Sequence, residues 1–522
     1  MARKSNQPLR ERYDVIVIGS GIGGLCAASL LARAGRSVLV LEQHDRPGGY
    51  AHGFARKHYR FDSGVHLTSG CGPDGYDGGQ ILHRILTTLG VYDEVEFIPV
   101  DPLARAVYPG LDMTLPSSVD GLTTTLAERF PEQADGLRRL IETCLTLTEE
   151  AAKADDVMAC GDPVLIREQL PTLFRYRRAT LSEAMKQFLD DPKLKAVFTT
   201  LWPFVGLPSS KVSFLSWATM LAGYTADGAC YCKGSFQNLA NALVSGLNRW
   251  GGEIRFGAPV HSIEINGGGV RGVQLADKRS ITAQTIVSNV DMHQTVYRLI
   301  GEDRFPKAFL RRFRQMKPSV SIFAVYIATD LDLKPLGLAH ESFFYSSYDH
   351  DKNFADSQAG TLSWLSVTVP TLVDPSLAPK SRHIVMLTTL MPYHIEDSWK
   401  SVKKETIHAM LHFADRFIPG LSDHILFLDG GTPMTMQRYT LNHDGAAYGW
   451  AASPDQIGPH RMPNTSPIDG LFWAGHWTSP GGGVYGVAVS GVQAAQQVLG
   501  LQRRQDFWER MNQRRSDQCV ES

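Results

Sequence analysis

Cysteine is scarce and unpatterned. Seven stand at positions 26, 71, 144, 160, 230, 232 and 519, with no CxxC pair and no zinc-type spacing. Neither a disulfide framework nor a structural metal site is expected from them, and Cys230-x-Cys232 reads as chance proximity. No apolar leader run precedes the first strand-like segment at Tyr13, so a reducing cytoplasm is the expected compartment. Long apolar runs are also missing. The richest stretch, Val197 to Tyr224, is broken by Pro203, Pro208 and Lys211, well short of the ~18 uninterrupted residues of a spanning helix. The expectation is a protein that is soluble or lies peripherally on the inner membrane surface. Charge of one sign is absent too. Lys+Arg 52 against Asp+Glu 53 gives a net −1, which removes the field of a non-specific nucleic-acid binder.

What remains is a globular composition of 522 residues, 43% apolar and 20% charged, enough for a large core and for three to four units of about 150 residues. Glycine is the one surplus, 48 residues or about 9%, against about 7% in average chains.

The glycines cluster usefully at the N-terminus. Tyr13 to Ile18 is a β-branched run of the kind found in buried parallel strands. Gly19-Ser-Gly21-Ile-Gly23-Gly24 follows, then a helix-like run from Leu25 to Ala34, then a second strand at Ser37–Leu41 closed by Glu42. This strand–loop–helix–strand context gives GxGxxG its meaning. Gly19 permits the tight turn, Gly21 lets a pyrophosphate approach the backbone, and Gly24 lets helix and strand pack closely. Glu42 is placed to accept hydrogen bonds from an adenosine ribose. Two other matches are weaker. Gly267 to Gly272, between short alternating runs, reads as a hairpin turn. Gly481 to Gly486 lacks the downstream strand and acid of a second dinucleotide site.

A further glycine pair, Gly48-Gly49, stands just past Glu42-Gln43-His44, followed by His52, Phe54 and Phe61-Asp62-x-Gly64-x-His66. This pattern resembles the flavoprotein superfamily of bacterial phytoene desaturase, carotenoid isomerase and retinol saturase. The similarity continues through Asp227 to Ser235, where Cys232 and Ser235 replace the family's usual Pro and Gly. It extends to Ile286-Val-Ser-Asn-Val-Asp291, Tyr439 to Trp450, and Gly470-Leu-Phe-Trp-Ala-Gly475-His476 with Pro480 to Gly486. Two departures stand out: Tyr50 where many flavoproteins carry Arg, and His476 where relatives often carry Asp.

The resemblance implies an α/β fold: a discontinuous Rossmann-type, glutathione-reductase-like FAD-binding domain (10–100, 225–300 and 425–500) with an inserted mixed α+β substrate domain (101–224 and 301–424) and a tail from 501 to 522. It implies FAD held by Gly19, Gly21, Gly23, Gly24, Glu42, Gln43, Gly48, Gly49, the backbone of Val260, Gly475, His476, Gly483 and Val484. A helix following the last glycine loop would stabilise a negatively charged flavin edge through its dipole. It also implies an FAD-dependent oxidoreductase acting on C–C or C=C bonds of an apolar polyene or isoprenoid-like small molecule, by desaturation, saturation or cis–trans isomerisation.

Hydride transfer asks the protein for position and field, with at most one acid or base. His66, Tyr485, His52 and His443 are the candidate catalytic groups; each also has a plain packing explanation. The aromatic stretch containing Trp202, Phe204, Phe214 and Trp217 is expected to supply an apolar substrate wall or, equally, the core of a helical lobe. Residues 304–317 carry six basic residues, no acid, and Phe305, Phe309, Phe313 and Met316 on one face. Such a helix suits a lipid interface, or a surface helix with its aromatics turned inward. Two other functions compete: a flavin amine oxidase, argued against by Tyr50, and a non-catalytic lipid-binding protein of the GDP-dissociation-inhibitor type, argued against by the complete glycine set.

Overall fold

The computed structural model describes residues 9–74, 80–158 and 161–520, with side chains through Gln513. Two seven-stranded sheets organise the chain. In the first, Arg12–Ile18 lies between Val38–Leu41 and Ser280–Ser288, parallel to both. Glu253–Arg255 extends the sheet parallel to Val38–Leu41, and Leu471–Trp473 adds on the other side of Ser280–Ser288. Val15, Ile16, Val17, Leu39 and Val40 are all within 1% of full burial, because helices and loops cover both faces of a parallel sheet. The fold is therefore Rossmann-type. Val260–Asn266 and Gly269–Leu275 form an antiparallel hairpin, turned by Gly267 and Gly268 at φ 61° and 90°, a conformation glycine adopts without a Cβ clash. The third glycine motif is thus a turn, as its flanks suggested.

The second sheet runs in the order Ile425–Gly431, Ser321–Thr329, His383–Met391, Trp364–Thr368, Glu341–Tyr345, Ala104–Tyr108, Leu111–Leu115. Its pairs are antiparallel except that between Glu341–Tyr345 and Ala104–Tyr108. The two-residue period decides which side each residue serves. Phe323, Val325 and Ile327 join a core with helix Trp399–Asp415, while Ala324, Tyr326 and Ala328 face the main core. Both faces are covered, so these strands read as continuous apolar runs. Ile425–Gly431 lies inside the stretch assigned to the cofactor domain, yet its pairing partner belongs to the second sheet.

Residues 119–225 are mostly helical, with Ala134–Met158 packed on Phe214–Thr225. Trp202, Phe214 and Trp217 are completely buried, so three of the four aromatics proposed as substrate wall are core of this lobe. The tail beyond 501 includes a helix, Arg504–Val520. Its Phe507, Trp508 and Met511 are buried, and Arg33 Nη2 donates to the Met511 carbonyl at 2.7 Å.

The basic aromatic segment adopts helix Lys307–Gln315 with its aromatics inward. Phe313 is 1% exposed, its ring 5.6 Å from that of Trp450, and Phe309 stacks between Phe305 and Phe313. Arg314 pairs with Glu302, and Arg312 donates to the Pro459 and Arg461 carbonyls. Phe305 and Phe313 are buried and Phe309 and Leu310 pack half-buried beside them, so the core covers most of this helix's apolar face. Among the described residues no helix is long and apolar enough to cross a membrane.

The fingerprint helix Ile22–Arg33 is buried along its whole length and packs against Gly483–Val498 at bare backbone. A Cβ on Gly491 would stand 2.5 Å from the Gly23 carbonyl oxygen and 2.7 Å from Cys26 Cβ. Gly491→Ala is expected to cost about 1–3 kcal/mol through overpacking, lowering the apparent melting temperature by several degrees in a thermal scan; an unchanged melting point would show that the two helices separate without penalty.

Candidate functional site

A cavity of about 1200 Å³ runs from the carboxyl ends of the first sheet's strands to the inner face of the second. Its first arm is built from bare backbone. Gly19, Gly21 and Gly23 line it, with Gly48, Gly49, Glu42 and Gln43. Helix Ile22–Arg33 begins at Gly21 with no side-chain cap and no acid in its first turn, which leaves its positive end for an anion. Gly24 does not line the cavity. A Cβ there would meet the Gly19 carbonyl oxygen at 2.5 Å and Asn289 Cβ at 2.8 Å, so Gly24 has the close-packing role expected of it.

Glu42, 9% exposed, is held by three protein donors. Ser20 N and Oγ donate to its Oε2 at 2.8 and 2.6 Å, and His44 N donates to Oε1 at 2.8 Å. A carboxylate offers about four lone-pair sites, so at least one remains for the cavity. Ala258, Pro259, Val260 and His261 form the far wall of this arm.

The second glycine loop lies opposite. Gly475, His476, Gly483, Val484 and Tyr485 line the cavity. The residues Gly483 to Gly486 are themselves the first turn of helix Gly483–Val498, again without side-chain cap or acidic residue. A Cβ on Gly483 would meet nothing within 4 Å and would project into open space. His476 stands in place of a carboxylate and is neutral. Burial, helped by the charge of Arg461, pushes its pKa down to about 4. Tyr50 stands in place of arginine, and its hydroxyl donates to the Ala446 carbonyl at 3.1 Å.

Arg461 was not signalled by any motif. It is 2% exposed and lines the cavity. Its donors go to the carbonyls of Thr478 (3.0 Å), His476 (2.5 Å) and Trp450. Burial lowers its pKa to about 9. Among the described residues it has no carboxylate partner. A buried guanidinium paired only with carbonyls beside two uncapped helix ends suits an anionic group such as a diphosphate or an electron-rich flavin edge. Asn289, between the two glycine loops, is the other residue that pattern reasoning passed over; its amide abuts Gly21, Gly23 and Gly475.

The candidate acid–base residues separate. His66 and Tyr485 line the cavity; His52 and His443 do not. His52 Nδ1 is 2.7 Å from the Gly49 carbonyl and 3.2 Å from Ser63 Oγ, so its ring closes the Gly48–Gly49 turn. His443 stacks on His293 with ring centres 4.0 Å apart, and its backbone N–H donates to Asp291 at 2.6 Å. Tyr485 is a phenol whose pKa burial raises further. His66 Nδ1 lies 2.5 Å from Glu341 Oε1.

Glu42→Ala is expected to weaken cofactor binding by about 1–3 kcal/mol, since it removes a charged acceptor and leaves Ser20 N unpaired. Titration of the cofactor-free protein checks this; an unchanged dissociation constant would show that Glu42 braces the loop only.

Comparison with known proteins agrees with this geometry. The family model for flavin containing amine oxidoreductases matches residues 22–499. A chloroplastic prolycopene isomerase from Arabidopsis thaliana is 29% identical over 514 residues, 94% of this chain and 84% of that protein. An all-trans-retinol 13,14-reductase from Rattus norvegicus is 27% identical over 510 residues, 89% and 82% of the two chains. Among solved structures, an oxidoreductase from Methanosarcina mazei superposes with a TM-score of 0.63 at 19% identity, covering 93% of this chain and 99% of that one. Putrescine oxidase bound to putrescine gives 0.61 at 14% identity, covering 94% and 99%. The chain belongs to the flavin-containing amine oxidoreductase family, and its cofactor is FAD.

Proposed function

We propose that this chain is an FAD-dependent oxidoreductase acting on carbon–carbon double bonds of an apolar, polyene-like small molecule. The observation that carries this reading is the cavity's continuation. At about 1200 Å³ it exceeds the ~300–1000 Å³ of a one-ligand pocket. Beyond the glycine loops its wall is apolar, including Leu173, Phe204, Leu215, Met220, Ile322 and Leu390. The carboxylates on the described wall are Glu42, Asp155 and Asp291. Glu42 and Asp291 accept backbone N–H groups near the glycine loops, and Asp155 accepts from Gln493. Asp155 is thus the one carboxylate of the described wall away from the glycine loops, and no cluster of acids is gathered at the apolar end to hold an ammonium group. The prolycopene isomerase and retinol reductase relatives support the same substrate class.

In this reading Gly19, Gly21, Gly23, Glu42 and Gly49 hold the adenosine and diphosphate, and Gly475, Arg461 and the Gly483 helix end face the flavin side. Bound flavin supplies a two-electron donor or acceptor. The cofactor portion comprises 10–100, 225–300 and the chain after 431; the second sheet with helices 119–225 forms the substrate portion.

Flavin reduction or reoxidation measured against polyenes and retinoids, then against amines, tests this. Turnover with the polyene panel is expected, and turnover with amines alone would overturn it. Leu215→Glu should lower polyene kcat/KM at least tenfold while leaving the flavin spectrum unchanged, because it buries a charge in the apolar wall.

A further inference from the structure

His66 sits where the two halves of the molecule meet. Its loop leaves strand Tyr59–Asp62, and Asp62 fixes that exit by accepting from Tyr231 Oη (2.6 Å), Ser235 Oγ (2.7 Å) and Phe236 N (2.9 Å). Across the gap, Glu341 opens a strand of the second sheet and is completely buried. Glu341 Oε1 receives His66 Nδ1 at 2.5 Å, and Oε2 receives Thr368 Oγ1 at 2.9 Å. His340 Nε2 donates to the His66 carbonyl at 2.8 Å. Three parts of the chain therefore fix one imidazole ring. Its side chain is 12% exposed, and the exposure opens on the cavity beside Phe204. Nε2, opposite the carboxylate, has no protein partner among the described residues.

His66, His340 and Glu341 also form the group whose ligand atoms lie within 4.8 Å of one another. They do not suit an ion. Ligands of a tetrahedral zinc at about 2.0–2.1 Å stand more than 3 Å apart, whereas His66 Nδ1 and Glu341 Oε1 are at hydrogen-bond distance and His340 Nε2 is committed to a carbonyl.

A buried ion pair in an apolar wall is costly to fold, and this one presents its free N–H to the place where substrate must lie. We propose that His66, positioned by Glu341, is the general acid of the reaction, so that the chain saturates a carbon–carbon double bond. This rests on the proposed polyene-directed function. In the step, the His66 Nε2–H bond breaks with its electron pair left on the ring. The proton forms a C–H bond at one carbon of the C=C. The other carbon would take the hydride that a reduced flavin, held by Gly475, Arg461 and the Gly483 helix end and recharged by an added two-electron donor such as dithionite or a reduced nicotinamide, would supply, so that CH–CH replaces C=C and His66 ends neutral. The groups facing the pair are His340, Asp62, Tyr224 and Tyr231. Burial lowers the His66 pKa, but the charge of Glu341, its hydrogen bond and the charge of Asp62 outweigh that and raise it above the ordinary value. The acid is charged below this raised pKa and is lost as pH rises through it.

Two measurements on the flavin-loaded protein decide the matter. Imidazole ¹⁵N spectra identify His66 as the signal missing from His66→Gln. That signal should titrate above the usual histidine range of about 6.5 in the wild type and fall back in Glu341→Gln. Titration at or below that range, or no response to Glu341→Gln, overturns the dyad. With a polyene that the wild type turns over, His66→Gln should lose at least 100-fold in kcat with little change in KM. Glu341→Gln should shift the basic limb of the kcat profile to lower pH. In D2O the wild type should yield a saturated product carrying solvent deuterium. Wild-type turnover by His66→Gln, a desaturated product, or an isomer without solvent hydrogen overturns the acid role. Failure of every polyene with the wild type overturns the proposed function itself, and the acid role with it. If Glu341→Gln does not fold, the wild-type titration and the His66→Gln kinetics still decide.

Discussion

Gly23 and Gly24 bring the fingerprint helix so close to the strand ends that no side chain fits between them. A Cβ on Gly24 would enter the Gly19 carbonyl, and one on Gly23 would stand 3.0 Å from Gly475 N. Asn289 fills the narrow space among these glycines with its amide. This contact fixes the rest of the site. It joins the first sheet's opening strand, the end of Ser280–Ser288 and the loop after Leu471–Trp473 at one point, although they are hundreds of residues apart in the chain. Two helices consequently start at the same cavity with their N-termini uncapped. Bare backbone thus does the work that charged side chains would do in a looser site, and the positive ends of two helices meet without mutual screening by an acid.

The charged groups around that point follow from it. With Tyr50 in place of an arginine and His476 in place of a carboxylate, the described site lacks both of the ionic groups expected from related flavoproteins. Arg461 brings a positive charge to the site from a different part of the chain, and beside the effect of burial it adds to what keeps its neighbour His476 neutral. The guanidinium and a protonated His476 would stand side by side in a dry environment, and the ring stays neutral. The two departures therefore read as one rearrangement. Removing the arginine from position 50 and the carboxylate from position 476 preserves a net positive site provided Arg461 is buried there.

The cofactor arm was legible in sequence because its requirements are local. A tight turn, a bare backbone edge and a close helix–strand packing each demand glycine at a fixed spacing, and the fold puts Gly19, Gly21 and Glu42 on the cavity wall and Gly24 at the packing contact within one strand–helix–strand unit. The hairpin at Gly267 was legible for the same reason. Arg461 and Asn289 were not, because their partners are backbone atoms brought together only by the tertiary fold. The helix at 307–315 shows the converse case, in which the pattern left two coverings open and the fold turns the aromatics mostly toward the core. Its basic and aromatic faces are correctly separated, but periodicity records that a face is apolar and not what covers it. Trp202, Phe214 and Trp217 were equally open between wall and core: an aromatic run marks burial, and only the fold says whether the burial borders a cavity. His52 and His443 share with His66 their place near a glycine motif, and proximity in sequence did not distinguish a ring that braces a turn from one that lines the cavity.

His66 and Glu341 are 275 residues apart, one on the exit from the cofactor half and the other on a strand of the second sheet. Neither half alone would stabilise either group. Glu341 without its histidine would keep only the Thr368 hydroxyl as a hydrogen-bond donor in a dry core, and His66 without its carboxylate is an imidazole whose pKa burial lowers. Each is the other's hydrogen-bond partner across the two halves, so the pair exists only in the assembled molecule. The same geometry bears on substrate choice. In the proposed acid role the imidazolium and the Glu341 carboxylate cancel to no net charge, so the pair offers an ammonium group no open carboxylate and leaves the wall acceptable to a neutral polyene. Under the proposed function, the same cofactor arm would serve an apolar substrate through the wall that the second sheet and helices 119–225 supply, with the His66–Glu341 pair set where those two halves meet.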